Sequence, residues 1–417
     1  MSRSLTDNVS LAPLRHRNFR RLAAGRLLMY FANSMAPIVL AFAVLDLTGS
    51  TTDLGIVVGA RSLANVVLLL LGGVIADRVS RTLILQGSAA AAACVQGAIA
   101  LSVLLGFTSI PLLIVLSVLN GALAALSFPA SAAMTPQTVP AETLRPANAL
   151  MRMGINIGMI IGASLGGIVV ALLGPGWGLV CNAVAFLVAA LCFLGIKVEA
   201  AETDPAERSH PIRELREGWR EFTSRTWVWV VVLQFMVVNA VVAGGIQVLG
   251  PTVADDTFGR TAWGVVLAAQ MAGAVVGGFL AARSRHRHAL RIGVAVVAFE
   301  ALPLVVLAEA PGALLLSLAM FVNGIALEQF GVAWDVSLQE HIPADRLARV
   351  YSYDALGSFI ALPIGEMAAG PVTGLIGRET TLLAGAVLVA AATAAALCSR
   401  DLRNLTSKPP APVEQPA

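Results

Sequence analysis

Long apolar runs, separated by short polar stretches, fill almost the whole chain. Twelve of them have the ~20 residues that an α-helix needs to cross the hydrocarbon core of a bilayer. Their approximate bounds are 22–47, 53–76, 82–106, 110–133, 148–173, 176–197, 227–253, 262–283, 288–309, 312–335, 350–375 and 379–400. Alternating ten-residue strands of a membrane barrel do not occur, and open sheets leave backbone groups unsatisfied in lipid. The pattern therefore predicts an all-α integral membrane protein with 12 transmembrane helices.

The basic residues predict how this protein sits in the membrane. If the N-terminus is cytoplasmic, Arg260 and Arg378 are the basic residues in outer loops, and the other loop arginines and lysines lie inside. Such an excess of positive charge marks the cytoplasmic side. The first run is too long for a cleavable signal peptide, and eleven more follow it. We expect a multi-pass protein of the cell (inner or plasma) membrane with both termini cytoplasmic.

Two short sequence echoes indicate an internal repeat. VPAETL at 139–144 returns as IPADRL at 342–347, an offset of 343 − 140 = 203 residues. LGGVIADRVSR at 71–81 returns as VGGFLAARSRH at 276–286, an offset of 277 − 72 = 205 residues. Both pairs fall at equivalent predicted loops, so the chain reads as a 6+6 arrangement of two related halves.

The repeat predicts four segments. Residues 1–200 form an N-terminal six-helix bundle and residues 227–400 a C-terminal one. Residues 201–226 form a cytoplasmic linker, in which Ile212, Leu215, Trp219 and Phe222 recur at the spacing of an amphipathic helix on the membrane surface. Residues 401–417 are polar and proline-rich, and we expect a disordered cytoplasmic tail.

Composition excludes most other classes of protein. The chain is 57% hydrophobic and 13% charged, whereas soluble domains carry about 25% charged residues. The four cysteines lie in apolar runs without metal-ligand spacing, and no phosphate-binding loop or nucleophile motif occurs. We expect no enzyme activity, no cofactor, no metal and no nucleic-acid partner. The expected partners of a monomer are the lipid bilayer, protons and a small-molecule substrate.

The loop after the second span has a recognisable pattern. Gly73 is followed by the pair Asp77-Arg78 and then by Arg81. This resembles the signature loop of the major facilitator superfamily, although Ser80 stands where the family has a second glycine. The resemblance implies a 6+6 pseudo-twofold major facilitator fold and a loop that latches the outward-open state.

The fifth span carries a glycine motif formed by Gly158, Gly162, Gly166 and Gly167. It resembles the motif that marks antiporters of the superfamily, with Ala163 where the family usually has proline. The alternative interpretation is ordinary close helix packing, which glycines at four-residue spacing also serve.

Over its length, the chain resembles the drug-exporter branch that contains the enterobactin exporter and macrolide efflux proteins. The resemblance rests on residues 18–26, 47–50, 216–220 and 338–350. Proton-coupled exporters of this kind have an arginine in the fourth helix, and Ser117 stands at that place. The proton route therefore has to use other groups.

Ionisable residues inside membrane spans are costly, so each is a functional candidate. The proton-coupling candidates are Arg61, Glu300, Glu328, Asp335, Asp354 and Glu366. A buried carboxyl group can take up a proton from one side and release it to the other, and Arg61 could pair with it in one state. We rank Glu328 first, Glu366 second and Glu300 third. Asp335 and Asp354 lie near helix ends, where capping is an equal alternative.

In this fold, helices one, four, seven and ten line the substrate cavity. The polar and aromatic candidates in those spans are Tyr30, Asn33, Asn120, Phe128, Gln234, Asn239, Asn323, Gln329 and Trp334. Amides mixed with aromatic rings suit an amphipathic organic molecule, although each residue could equally serve interhelical packing.

These patterns favour a secondary active transporter that works by alternating access. We expect a proton-coupled exporter (antiporter) of small amphipathic compounds such as antibiotics, siderophores or secondary metabolites. A nutrient importer or facilitator of the same fold, and a non-transporting membrane sensor, remain as alternatives.

Overall fold

The computed structural model describes residues 9–76, 80–196, 219–283, 286–309 and 312–406. Within these ranges the chain is helical between short loops, and twelve helices are long and apolar enough to cross a membrane. Their bounds are α1 Arg17–Thr48, α2 Thr51–Ala76, α3 Arg81–Leu104, α4 Ile110–Met134, α5 Leu144–Leu173, α6 Pro175–Phe193, α7 Thr226–Asp256, α8 Arg260–Arg283, α9 Ala289–Glu309, α10 Ala313–His341, α11 Ala344–Phe359 with Leu362–Ile376, and α12 Arg378–Cys398. The predicted all-α membrane fold with twelve spans is confirmed.

Three of the spans are interrupted. Helix α7 passes through a π-helical segment, Ala243–Leu249, and α9 through a 3₁₀ segment, Val297–Glu300. Helix α11 breaks before Leu362, and the next residue, Pro363, has no backbone N–H with which to continue the hydrogen-bond ladder. Such interruptions inside long helices often mark functional places.

The six helices of each half pack in the same way. In the first half α1 contacts α5 and α6, α2 contacts α4, and α3 contacts α4 and α6. In the second half α7 contacts α11 and α12, α8 contacts α10, and α9 contacts α10 and α12. The halves meet through two symmetry-related pairs, α2 with α11 and α5 with α8. This is the 6+6 pseudo-twofold arrangement that the repeat predicts.

The two ends of the bundle differ in how their apolar cores are connected. We call the end near both described chain termini the terminal face, and the end with residues 49–50, 174, 257–259 and 377 the distal face. One buried apolar cluster joins both halves and includes the distal parts of α1, α2 and α5. A separate cluster fills the terminal part of the first half, around Phe19, Met151 and Phe193. The halves are therefore held together toward the distal face.

The structure describes only parts of the predicted linker and tail. The linker at 201–226 lies outside the described residues up to residue 218, so Ile212 and Leu215 are not described. Residues 219–223 are helical, with Trp219 exposed and Phe222 buried, and α7 begins at Thr226. The prediction of a disordered tail from residue 401 needs a correction. Arg400–Asn404 is a short helix, α13, because Leu402 is fully buried and Ser399 caps the helix start.

Candidate functional site

The contact between α2 and α11 brings the two halves together in the distal part of both helices. A Cβ atom on Gly59 would lie 2.6 Å from Cγ of Met367 and 3.3 Å from the carbonyl oxygen of Pro363. Gly55 packs directly on the backbone of Glu366, and Gly370 packs on Thr52 of α2. Small residues on both helices thus allow the two backbones to approach closely.

Glu366 sits inside this contact. Its side chain is 0% exposed, and neither carboxylate oxygen forms a regular hydrogen bond with the described residues. The polar side chains that interact electrostatically with the Glu366 carboxyl group are those of Arg61 and Ser62 on α2. A buried carboxylate without compensating hydrogen bonds is costly, whereas a protonated carboxyl group is much less so. Glu366, the second-ranked acid of the sequence analysis, is therefore fully buried between the halves, and its proton-coupling role stays a prediction.

Arg61 is fixed against helix α4. Its Nε donates a hydrogen bond to Oδ1 of Asn120 at 3.0 Å, and its backbone carbonyl packs on Gly121. Arg61, Asn120, Ser117 and Gln96 also line one small cavity in the first half. Arg61 of α2 therefore lies beside the place on α4 where Ser117 stands.

An ion pair joins the halves nearer the terminal face. Nη2 of Arg152 on α5 lies 2.7 Å from Oε1 of Glu328 on α10. The Arg152 side chain is 72% exposed and that of Glu328 26% exposed, so the pair reaches into open space between the halves. Glu328, ranked first by sequence, is thus ion-paired and partly accessible, unlike Glu366.

Arg152 is not among the candidate residues predicted from the sequence. It lies inside the predicted fifth span, so the rule that intramembrane ionisable residues are functional candidates could have identified it. Its partner is 176 residues away in the chain, and no local pattern reveals such a pair.

Glu300, Asp354 and Asp335 each lie beside or bond to side chains of the second half. Glu300 is 4% exposed and lies beside Asn323, whose Oδ1 accepts a hydrogen bond from Gln270 of α8 at 2.8 Å. Asp354 accepts a hydrogen bond from Nε1 of Trp334 at 2.9 Å and one from Ser358 at 3.2 Å. Asp335 accepts one from the Tyr351 hydroxyl at 3.1 Å. The structure brings none of these three acids to the contact between α2 and α11.

Most of the other cavity candidates donate hydrogen bonds within their own helix or to a neighbouring helix. Asn33 donates to Met29 O at 2.9 Å, Gln234 to Thr393 at 3.0 Å, Asn239 to Ser358 O at 2.8 Å and Gln329 to Gly277 O at 3.2 Å. Tyr30 is half-buried beside the apolar cluster of the first half. Phe128 belongs to α4, but its side chain is outside the described part of the chain. Their role in substrate binding remains a prediction.

The glycine motif of α5 divides between two neighbours. Gly158 and Gly162 pack on the backbone of α1, and Gly166 faces Met35 of the same helix. Gly167 instead meets α8, where a Cβ atom would lie 2.7 Å from the carbonyl oxygen of Arg260. One glycine of the motif therefore belongs to the contact between the halves.

The signature loop is only partly described. Gly73 lies in the last turns of α2, and Arg81 is the first residue of α3. Asp77 and Arg78 lie outside the described residues, so the latch remains a prediction. Ser80 caps α3, because its Oγ accepts a hydrogen bond from the Leu83 N–H at 3.4 Å.

An ion cluster closes the distal face. Arg260 at the start of α8 forms two hydrogen bonds with Asp46 at the end of α1, at 2.5 and 3.0 Å. It also bonds Asp255 at 2.6 Å and lies 4.9 Å from the ring centroid of Phe42. Asp46 and Arg260 belong to different halves, so this cluster is an ionic contact between them.

On the terminal face, Glu221 ties the end of the linker to the second half. Arg346 donates a hydrogen bond to it at 2.8 Å and Arg225 donates one at 2.9 Å. These hydrogen bonds, first that of Arg346 and then that of Arg225, lower the pKa of the Glu221 carboxyl group from its ordinary value of 4.5. Glu221 is therefore ionised at neutral pH.

Comparison with known proteins agrees with this architecture. The Major Facilitator Superfamily profile matches residues 22–366. Among curated proteins, the enterobactin exporter EntS of Shigella boydii serotype 18 is 27% identical over 274 residues, which cover 65% of this chain and 64% of that protein. EntS of Escherichia coli O1:K1 aligns with the same identity and coverage. The chain thus matches slightly less than two thirds of the length of these relatives.

Solved structures share the fold at low identity. A mutant of the nucleoside transporter NupG superposes with a TM-score of 0.75 at 15% identity, over 91% of this chain and 98% of that one. A bacterial homolog of the human lysosomal transporter Spinster superposes with a TM-score of 0.69 at 17% identity, over 91% and 95% of the two chains. The profile match and the shared twelve-helix fold show that the chain belongs to the Major Facilitator Superfamily of membrane transporters.

Proposed function

We propose that the protein is a proton-coupled exporter of small amphipathic compounds that works by alternating access. The observation that carries this proposal is the fully buried Glu366 carboxyl group in the contact that must open and close between the halves. The alignment with exporters of enterobactin supports the outward direction, and siderophores, antibiotics and secondary metabolites are the substrate classes we expect.

Coupling follows from the cost of burying a charge. When the distal face opens, α2 and α11 separate and the Glu366 carboxylate meets the outer solution, where it takes up a proton. Closing the contact over an ionised carboxylate would cost several kcal/mol, and a proton removes that cost. The return step thus carries a proton inward.

Release of the proton uses Arg61. This side chain is half-buried, and it is the cation whose charge acts on the Glu366 carboxyl group. When the proton leaves toward the terminal face, the guanidinium of Arg61 can stabilise the Glu366 carboxylate across the contact. Substrate then binds from the cytoplasm and travels outward on the next opening.

The terminal face is cytoplasmic in this proposal, as the arginine distribution predicts, and the protein acts as a monomer in the inner membrane. Because the halves are held together toward the distal, outer face, the structure then corresponds to an inward-facing conformation. Substrate would enter the space that contains the Arg152–Glu328 pair. An organic molecule with polar and apolar parts suits such a mixed surface.

The experiment uses everted membrane vesicles with an inward-acid pH gradient. We expect uptake of radiolabelled macrolide or siderophore probes by the wild type and at least a tenfold loss for Glu366→Gln. Substrate exchange without a gradient should survive, because a neutral side chain still permits closure. Glu379→Gln, an exposed glutamate at the start of α12, is the matched control.

Two outcomes contradict the proposal. If Glu366→Gln keeps gradient-driven uptake, the proton is carried by another group, and Glu328→Gln is tested next. If the wild type accumulates the probes in right-side-out vesicles instead, the protein is the importer of the alternative interpretation.

A further inference from the structure

A cavity of about 250 Å³ lies in the second half, outside the contact between the halves. Helices α7, α11 and α12 form its walls, and Leu304 of α9 contributes to its lining. The lining is almost entirely apolar. The hydroxyl of Thr381 is the exception among the lining side chains, and it is already bonded to the Gly377 carbonyl at 2.6 Å. The cavity can therefore hold an apolar group, because the lining hydroxyl already has a hydrogen-bond partner.

Small residues form much of the cavity lining. Five glycine or alanine residues of α11 and α12 line it: Gly365, Ala368, Ala369, Ala384 and Gly385. On the third side, α7 passes through its π-helical segment, which begins with Ala243 and two glycines. The local sequence thus leaves a gap where three helices meet.

The mouth of the cavity opens toward the membrane. Three lining residues are exposed on the outer surface of two adjacent spans: Ile376 of α11, with Ala384 and Leu388 of α12. At this depth the surrounding medium is hydrocarbon. The groups that can enter are those of the bilayer itself.

A cation marks the distal rim of the same gap. Arg378 is the first residue of α12, three residues before Thr381 of the lining. Its side chain is 39% exposed, and its Nη1 binds Asp256 at 2.5 Å. A guanidinium group has five N–H donors, so this pair leaves donors free to bind an anionic oxygen. The start of a 21-residue helix also favours negative charge.

We propose that this cavity binds one acyl chain of a membrane phospholipid, whose phosphate lies at Arg378. The apolar volume takes the chain, the mouth faces the layer in which chains lie, and the cation stands at the level of the head groups. The volume is slightly below the ~300 Å³ at which small-molecule pockets begin, which suits one chain better than a bulky substrate.

The test is native mass spectrometry of the full chain after reconstitution with 1-palmitoyl-2-oleoyl phosphatidylethanolamine and phosphatidylglycerol. We expect one phospholipid to remain bound per protein. Ala384→Phe fills the mouth and should reduce the retained phospholipid at least fivefold. Ala390→Phe is the matched control, because Ala390 is an exposed alanine of α12 outside the cavity, and it should retain the lipid.

Two further variants keep the test decisive. Ala368→Leu fills the cavity from α11 and should give the same loss if the phenylalanine variant does not fold. Arg378→Gln should reduce phospholipid retention while the cavity stays open. Equal retention in all variants would overturn the proposal. Retention of a species without phosphate, such as a fatty acid, detergent or transported compound, would overturn the phospholipid assignment.

Discussion

The contact of Gly167 with α8 makes a quantitative prediction about the balance between the two conformations. A Cβ atom at Gly167 would lie 2.7 Å from Arg260 O and 2.9 Å from Gly264 Cα, whereas ordinary contact begins at 3.4 Å. Gly167→Ala therefore requires α5 and α8 to separate by about 0.7 Å (3.4 − 2.7). Both neighbours are backbone atoms, so no side chain can move aside.

The cost of this separation falls on one conformation. Overpacking of this kind costs about 1–3 kcal/mol, and the two helices are in contact while the distal face is closed. Because 1.4 kcal/mol is a tenfold change in an equilibrium constant, the population open at the distal face should rise ~5- to 150-fold. Gly166→Ala is the matched control. Its Cβ would meet the flexible Met35 side chain at 3.3 Å, within the same half.

Electron–electron double resonance measures this shift. Nitroxide labels at Phe107→Cys and Glu379→Cys report the distance between the halves at the distal face, because both residues are exposed there, one in each half. The four native cysteines are first replaced by serine. We expect a longer distance to gain population in Gly167→Ala but not in Gly166→Ala. Identical distributions in the two variants would refute the packing argument.

Three further predictions concern charges. Asp46→Asn removes the partner of Arg260 across the distal face, so it should favour opening by about 1 kcal/mol, and an unchanged label distance would contradict this. Arg152→Glu places two acids opposite each other and should lower transport, while the added Glu328→Arg should restore it; failure of that rescue would mean that the pair is not a direct contact. Glu221→Gln should lower the thermal stability by about 1–2 kcal/mol at pH 7. Because the pKa of Glu221 is lowered in the folded protein, its carboxylate stabilises the fold above about pH 4.5, and this effect is lost only as pH falls through the lowered pKa. The Glu221→Gln variant should therefore keep the wild-type pH dependence of transport between about pH 5.5 and 8. A changed pH dependence would contradict a stabilising role for Glu221.

Hydropathy predicted the spans because apolar length is a direct requirement of the bilayer. The predicted span 53–76 corresponds to Thr51–Ala76, and 82–106 to Arg81–Leu104. Helix α10 continues to His341, beyond the predicted end at 335, because a helix can extend past the apolar part of its sequence. The π segment of α7 could not be foreseen, since hydropathy does not depend on the hydrogen-bond register.

The candidate site was harder to predict than the fold. Composition and spacing identify Arg61, Glu328 and Glu366 as intramembrane charges, but they do not show which charges meet. Glu366 is buried because Gly55 and Gly59 of the other half let α2 approach it, and this contact joins residues about 300 positions apart. For the same reason the order of Glu328 and Glu366 could not be set from the sequence.

The break in α11 before Leu362 has a consequence for leakage. It separates the terminal piece, Ala344–Phe359, from the distal piece that carries Glu366. In the proposed cycle, we expect the terminal piece to tilt toward the first half while the distal piece stays packed on α2, which would give an intermediate sealed at both ends. A path open at both ends would let ions run down the membrane potential, which stores ~2.3 kcal/mol per charge at 100 mV. For the proposed proton-coupled exporter, a jointed helix would allow the protein to change sides without discharging the membrane potential.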